Sequence, residues 1–186
     1  TNSLNIQNTF RSVKKQNVSV NTIASYTKAL QAAFLIDCAK RFDIKGRKYI
    51  STPLKYYFVD TGLRNALLNF RQNEETHLME NIIFNELKIR GYDVDVGVVE
   101  IYETNKNGSG QKKQLEIDFV ANKAQDRLYI QSALSISDIS KATVEFRPFL
   151  NVTDSFRKII LVGGKKAPQI TEQGFTIMGV INFLQS

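Results

Sequence analysis

Two acidic residues, Glu116 and Asp118, lie two positions apart in the run LEIDFV, which has the composition of a β-strand. Side chains two positions apart on a strand point to one face, so we expect both carboxylates on one face and Ile117 and Phe119 on the other. Glu80 is predicted on a preceding helix. Carboxylate oxygens are ligands for hard divalent cations, so Glu80 and Asp118 are metal-binding candidates. The alternative is that these acids pair with nearby Lys or Arg side chains.

The net positive charge of the chain comes entirely from its first third. Residues 1–62 contain ten Lys and Arg against three acids, whereas residues 63–186 contain fifteen of each. This asymmetry favours a polyanion-binding head on a neutral body, although basic surface also aids solubility or meets an acidic partner domain. Aromatic residues are interleaved with the basic ones. We expect Tyr26 and Phe34 to pack inside the head, and leave open whether Phe42 and Tyr49 stack on bases or pack.

The basic head is predicted to form a winged helix-turn-helix. Apolar residues recur at three- and four-residue steps, which predicts helices over 4–16 and, capped by Ser19, up to Ala33. Strands are expected over 34–39 and 56–59, joined by a basic loop over 40–48. A helix-turn-helix followed by a hairpin with a basic tip is typical of a winged helix. Nucleic-acid contacts are predicted for Thr22, Ser25, Lys28, Lys40, Arg41, Lys45, Arg47 and Lys48.

Residues 63–186 are predicted to form a second domain, of α/β class with a mixed sheet. The expected helices are 63–70, 75–90, a segment ending near 150, and 180–184. The expected strands are 92–103, 115–121, 128–133, 158–162 and 175–178. Ser137 and Asp138 are expected to cap the helix that ends near residue 150.

Six short segments carry a resemblance to a known family. They are LKYYFVDTGL (54–63), HLMENIIFNE (77–86), LEIDFV (115–120), YIQS (129–132), EFRP (145–148) and VINFL (180–184). Residues 54–186 resemble the C-terminal domain of a group of bacterial and archaeal AAA-type ATPases, which is related to the PD-(D/E)XK nucleases and archaeal Holliday junction resolvases. The resemblance implies a restriction-endonuclease-like body, with the winged helix lying between it and an upstream motor. It also implies DNA and the motor as partners, with ATP and Mg²⁺ used by the motor alone.

In PD-(D/E)XK enzymes a helix acid, a strand Asp and a Glu-x-Lys on the next strand assemble one Mg²⁺-dependent site. The resemblance places these on Glu80, Asp118 and residues 131–133. Here the sequence departs from the pattern, because Gln131 offers a neutral carbonyl oxygen and Ala133 removes the ammonium group. Mg²⁺ favours anionic oxygen, and the Lys helps to polarise the attacking water. The resemblance therefore implies a degenerate site, without nuclease activity, formed by Glu80, Glu116, Asp118 and Gln131.

Three functions stay open at this point. The first is a non-catalytic DNA-binding module of an AAA-type ATPase. The second is a protein-interaction module that docks on the motor or on a partner. The third is a metal-dependent DNA endonuclease. We rank them in that order, because the charge distribution favours the first and the residues at 131 and 133 count against the third.

Other chemistries lack the residues that they need. Residues 161–166 resemble a phosphate-binding loop only superficially, since the spacing differs and Pro168 blocks the required helix. No Walker motif is present. His77 is the one histidine and Cys38 the one cysteine, which excludes zinc sites, catalytic triads and disulfide bonds within the chain. No signal peptide or membrane-spanning apolar run is found, so a cytoplasmic location is expected.

Overall fold

Eight strands in one sheet and six helices make up the described part of the chain, which is of α/β class. The computed structural model describes residues 2–71, 74–104, 110–136 and 139–186, so the predicted cap at Ser137 and Asp138 lies outside the described residues. The helices are α1 (Ser3–Val13), α2 (Val20–Ala32), α3 (Thr61–Leu67), α4 (Glu75–Ile89), α5 (Ile139–Leu150) and α6 (Val180–Leu184). The strands are β1 (Ile36–Asp43), β2 (Lys48–Phe58), β3 (Asp93–Thr104), β4 (Gly110–Lys123), β5 (Asp126–Ala133), β6 (Arg157–Val162), β7 (Gln169–Ile170) and β8 (Thr176–Gly179).

Short polar side chains cap the N-termini of α1 and α2. Asn2 accepts a hydrogen bond from the backbone N–H of Asn5 at 2.8 Å, and Ser19 accepts one from the N–H of Thr22 at 3.0 Å. The two predicted helices are therefore confirmed. Ile23 is the one buried residue of α1 and α2.

Tyr26 and Phe34 are exposed on the two-helix unit, by 68% and 80% respectively. The prediction that they pack inside the head was therefore wrong. Two short helices joined to the sheet through α2 enclose too little volume to bury both rings. Several apolar side chains of this unit consequently face solvent.

The hairpin that follows α2 is longer than predicted. Phe34 has a φ of +56°, and Leu35 donates its backbone N–H to Leu30 O at 3.0 Å, so these residues close α2 and β1 starts only at Ile36. β1 then runs to Asp43 and β2 starts at Lys48. The predicted basic loop over 40–48 was wrong in its bounds, because the cross-strand ladder continues through these residues while their long side chains reach outward.

A bulge interrupts the hairpin on its outer strand. Ala39 pairs with Lys55 and Arg41 pairs with Ile50, so β2 carries residues 51–54 opposite a single residue of β1. Pro53, which has no backbone N–H, lies within this bulge. β2 forms one edge of the sheet, whose strand order is β2-β1-β3-β4-β5-β6-β8-β7.

The hairpin is part of the same sheet as the rest of the chain. β1 pairs in parallel with β3, with Arg41 opposite Val96 and Asp43 opposite Val98. Ile44, in the hairpin turn, also donates its backbone N–H to Val98 O at 3.0 Å. Hydrogen bonding therefore crosses the predicted boundary after residue 62, and the division into two domains stays a prediction.

Two apolar clusters cover the two faces of the sheet, because successive strand residues alternate between them. Tyr129 and Ile130 are neighbours on β5, yet they belong to different clusters. Residues at most 1% exposed on the face covered by α4 include Ile83, Phe84, Leu87, Phe119 and Ile130. Those on the face covered by α5 include Ile117, Val120, Tyr129, Phe149 and Ile160. The candidate site lies on the α4 face.

Candidate functional site

Three carboxylates converge on the ammonium group of Lys55. Lys55 lies on β2, Glu80 on α4, and Glu116 and Asp118 on β4. The Nζ atom of Lys55 lies 2.7 Å from Glu80 Oε1, 3.0 Å from Glu116 Oε1 and 3.6 Å from Asp118 Oδ1. We call these four residues the lysine–carboxylate cluster. The structure thus brings together the three acids predicted from sequence, around a lysine that was not predicted.

Asp118 reaches the cluster at a β-bulge. The pairing of β3 with β4 shifts between Asp95 and Gly97, so that Asp118 and Phe119 together oppose one residue of β3. A bulge of this kind breaks the alternation of side chains between the two faces. Phe119 consequently packs in the apolar cluster on the α4 face, whereas Ile117 packs on the α5 face. The prediction that Phe119 faces away from Asp118 was therefore wrong.

Glu80 accepts hydrogen bonds from two side chains of β2. Besides Lys55, the hydroxyl of Tyr57 donates to Glu80 Oε1 at 2.7 Å. Lys55 and Tyr57 are two positions apart on the strand, so both point to the α4 face. The ring of Tyr57 stacks on Phe84 with 4.1 Å between centroids, which fixes the hydroxyl. Burial, followed by the charge of Glu80, raises the pKa of Tyr57 above its ordinary value, so Tyr57 stays a donor.

Glu116 links the cluster to β1. Its Oε2 atom lies 2.7 Å from Arg41 Nη2, and Arg41 also donates through Nε to Pro53 O at 3.1 Å. Burial alone would raise the pKa of Glu116, but the positive charges of Lys55 and Arg41 outweigh it and hold that pKa below its ordinary value. Arg41 was predicted as a nucleic-acid contact, and in the structure its guanidinium lies against Glu116.

Asp118 titrates near neutral pH. Burial raises the pKa of Asp118 to about 7, an effect that Lys55 opposes and the charge of Glu80 strengthens. Its Oδ2 atom accepts the backbone N–H of Ser132 at 2.8 Å. Burial alone would lower the pKa of Lys55, yet its carboxylate neighbours raise that pKa above the ordinary value. Lys55 therefore stays charged while Asp118 changes its protonation state.

Gln131 and Ala133 lie on β5 beside the cluster. The side-chain oxygen of Gln131 accepts the backbone N–H of Asp118 at 3.4 Å. Gln131 also bonds the side chain of Glu145, whose pKa is raised by burial and lowered in part by this bond. Ala133 is buried and carries no charge. The positive charge beside the three carboxylates comes from Lys55 on β2.

Sequence reasoning missed Lys55 because the predicted strand began one residue later. The available signal was the run LKYYF, in which Lys55 and Tyr57 share a strand face. A charged residue on the same face as an aromatic residue within an apolar run indicates a buried partner of opposite charge.

The donor atoms of the cluster do not fit a divalent cation. Both oxygens of Glu116 face cationic groups, Glu80 Oε1 accepts from Tyr57 and Lys55, and Asp118 Oδ2 accepts a backbone N–H. Mg²⁺ requires near-octahedral oxygen ligation, whereas here an ammonium group occupies the point where the oxygens converge. Among the residues that the structure describes, no group of three or more His, Cys, Asp or Glu side chains is arranged to hold a metal ion.

The other predicted nucleic-acid contacts are exposed along α2 and the hairpin. Those residues are Thr22, Ser25, Lys28, Lys40, Lys45, Arg47 and Lys48. The hydroxyl of Thr22 lies 2.8 Å from that of Ser19, which ties it to the helix start. Lys45 Nζ donates to the backbone oxygen of Glu100 at 2.9 Å, which is a bond to an uncharged group. The basic side chains other than Arg41 thus form an accessible cationic surface.

Neither His77 nor Cys38 lies in the lysine–carboxylate cluster. His77, at the start of α4, contacts the carboxylate of Glu74. Cys38 is half-buried on β1 and accepts from Gln31 Nε2 at 3.1 Å. In the part of the chain that the structure describes, no helix combines the length and apolar character needed to span a bilayer.

The fold and the site define an α/β protein with a basic hairpin and the lysine–carboxylate cluster. Residues 2–74 match the model of a domain of unknown function, DUF8612. The chain is also similar to an uncharacterized protein of Haemophilus influenzae, with 36% identity over 183 residues. That match covers 98% of this chain and 41% of the relative, so the chain spans about two fifths of the relative's length. No solved structure matches the chain.

Proposed function

We propose that this chain is a non-catalytic DNA-binding module of a longer AAA-type ATPase. In this proposal residues 1–62 act as a winged helix, and residues 63–186 form a PD-(D/E)XK-like body whose site has lost its chemistry. The observation that carries the proposal is the position of Lys55, whose ammonium group lies within 3.6 Å of all three carboxylates. Acids that are paired with an ammonium group in this way are not free to bind Mg²⁺.

The cationic surface supports DNA as the partner. Lys40, Lys45, Arg47 and Lys48 are exposed along the hairpin, and Lys28 is exposed on α2. Phosphate oxygens supply most of the contacts between proteins and duplex DNA, and they require neither base recognition nor a deep pocket. The expected binding is therefore sensitive to salt and tolerant of sequence.

We propose that the chain is part of a longer protein that contains further domains. The relative from Haemophilus influenzae is longer than this chain, which accords with a parent that has further domains. We assign ATP and Mg²⁺ to an upstream motor domain of that parent and place the protein in the cytoplasm.

A salt titration with matched charge variants tests the proposal. Duplex DNA should bind with an affinity that falls steeply with salt, and Arg47→Gln with Lys48→Gln should reduce the slope by up to about 2. The control is Lys165→Gln with Lys166→Gln, which removes the same charge from an exposed loop at the opposite end of the sheet. A DNA affinity that does not change with salt concentration would overturn the proposal. So would an equal change of the salt dependence in the two double variants.

The exposed apolar side chains of α1 and α2 favour a second candidate, docking on the motor domain. Val13 and Leu30 are exposed together with Tyr26 and Phe34, whereas Ile23 of α2 is buried. Exposed apolar surface of this kind is typical of an interaction site. This candidate gains if the chain ignores DNA but binds the separately expressed motor. It is lost if Tyr26→Ser with Leu30→Ser leaves that binding unchanged.

A further inference from the structure

A cleft on the α5 face of the sheet combines positive charge with aromatic rings. It lies between the hairpin turn and the connection from α5 to β6, and its volume is about 620 Å³. A volume of this size suits a small ligand or one unit of a polymer. Its walls include Phe42, Lys45, Arg47, Arg127, Asp154 and Phe156. The lysine–carboxylate cluster lies on the other face, so the cleft is a separate site.

The charge of the cleft selects an anion. Lys45, Arg47 and Arg127 are cationic, and Asp154 is the one acid among the residues that line the cleft. The Asp154 carboxylate already accepts the hydroxyl of Tyr129 at 2.6 Å and lies 4.0 Å from Lys158 Nζ, so its charge is partly compensated within the protein. The wall is therefore positive overall, with two cations on the exposed turn.

The rings of the cleft select a planar group. The guanidinium carbon of Arg127 lies 5.4 Å from the ring centroid of Phe42 and 5.4 Å from that of Phe156. Asn122 accepts from Arg127 Nε at 2.7 Å, which holds the guanidinium in place. Phe156 is 39% exposed, so part of its ring is available to a ligand. Exposed aromatic rings beside fixed Arg groups are the surfaces on which unpaired bases stack.

We propose that this cleft binds one nucleotide unit, with its base on Phe156 and Arg127 and its phosphate on Lys45 and Arg47. A base inside a duplex is already stacked and cannot enter, so the polymer that presents such a unit is single-stranded DNA. The inference rests on the proposed DNA-binding function and deepens it. A nucleotide-binding cleft would give the protein a preference for single-stranded DNA, while the neighbouring β1–β2 hairpin contacts phosphates.

Fluorescence anisotropy with oligothymidylate of about 12 nucleotides and a duplex of equal length tests the inference. Phe156→Leu keeps the apolar bulk but removes the ring, so it should weaken single-strand binding about tenfold and leave duplex binding unchanged. Phe156→Tyr keeps the ring and should retain single-strand binding. Phe70→Leu removes an exposed ring outside the cleft and serves as the control. Thermal unfolding of each variant checks that the fold is intact.

The outcomes separate this inference from the proposed function. If duplex binding depends on salt but Phe156→Leu binds oligothymidylate as wild type does, the cleft assignment fails and the DNA-binding proposal stands. If neither DNA binds, both fail. A titration with free thymidine monophosphate distinguishes the source of the ligand. Binding of the free nucleotide as tightly as the oligomer, lost in Phe156→Leu, would support the chemistry of the cleft and assign it to a mononucleotide.

Discussion

The Nζ atom of Lys55 lies 2.7 Å from Oε1 of Glu80, and this ion pair joins β2 to α4. The same ammonium group reaches Glu116 and Asp118 on β4, so one side chain holds three elements together. Removing one partner from a partly buried ion pair leaves the other charges uncompensated, which costs more than the pair itself contributes.

Lys55→Met should therefore destabilise the protein. Three neighbouring carboxylates would be left beside an apolar side chain, and because Lys55 is partly exposed we expect a loss of about 2 kcal/mol. Urea unfolding measures this loss. Lys88→Met is the control, since Lys88 makes a 3.8 Å pair with Asp37 in which both side chains are about 40% exposed, and it should change stability by less than about 1 kcal/mol. Equal effects of the two substitutions would show that Lys55 has no special role.

The stability of the protein should depend on pH through Asp118. Its pKa of about 7 in the folded chain lies above the ordinary value, so the folded state holds the proton more tightly than the unfolded state. The stabilisation that protonated Asp118 gives the folded state is fully present below the ordinary pKa of Asp and is lost as the pH rises through about 7. The stability of wild type relative to Asp118→Asn should therefore fall by on the order of 2 kcal/mol from about pH 5 to about pH 8.

Denaturant unfolding at several pH values checks this prediction. Asp126→Asn, which removes a carboxylate from an exposed position at the start of β5, is the matched control. The lowered pKa of Glu116 acts in a more acidic range and does not interfere. Parallel stability curves for wild type and Asp118→Asn would contradict the raised pKa.

Incubation with Mg²⁺ or Mn²⁺ should give no cleavage of branched or linear DNA. Lys55 occupies the point at which the carboxylates converge, and Gln131 adds no anionic ligand. Gel electrophoresis of labelled junction substrates measures the result. A product that disappears in Asp118→Ala would establish the endonuclease alternative. A product that persists in Asp118→Ala would come from a contaminating nuclease.

Gly97 should not tolerate a side chain. A Cβ atom there would lie 2.8 Å from Val120 Cγ2 and 2.9 Å from Ile44 Cδ1, both buried. Gly97→Ala should therefore destabilise the protein by roughly 1–3 kcal/mol, because overpacking forces the core to shift. A Cβ at Gly110 of β4 would meet no atom within 4 Å, so Gly110→Ala should be close to neutral. Similar melting temperatures for both variants would contradict the packing described around Gly97.

Local patterns in the sequence predicted most of the helices and strands, but not how the strands pair with one another. The periodicity identified α1, α2 and α4, and residues two apart on a strand correctly placed Glu116 and Asp118 together. The bulge at Phe119 could not be predicted, because it arises from the register of β4 against β3. The pairing of β1 with β3 connects segments more than fifty positions apart, and no local pattern encodes it.

The sequence predicted the three acidic residues of the candidate site but not the lysine that they surround. Glu80, Glu116 and Asp118 were found because carboxylates in apolar runs are conspicuous. Lys55 was missed because the predicted strand began at residue 56, and because β2 reaches the carboxylates from the opposite side of β4 to β5, a placement that no local pattern predicts. Arg41 was read as part of a basic loop, although the extended β1 strand turns it toward Glu116.

The bulge of β2 bears on how copies of this chain meet one another. An outer strand with a regular row of free amide groups is a template on which a neighbouring molecule adds its own strand, the first step of aggregation. Pro53 removes one amide from that row, and the four residues of the bulge distort the spacing of the others. The irregularity therefore disfavours polymerisation through this exposed edge of the sheet, so that the basic hairpin can stay accessible at high protein concentration.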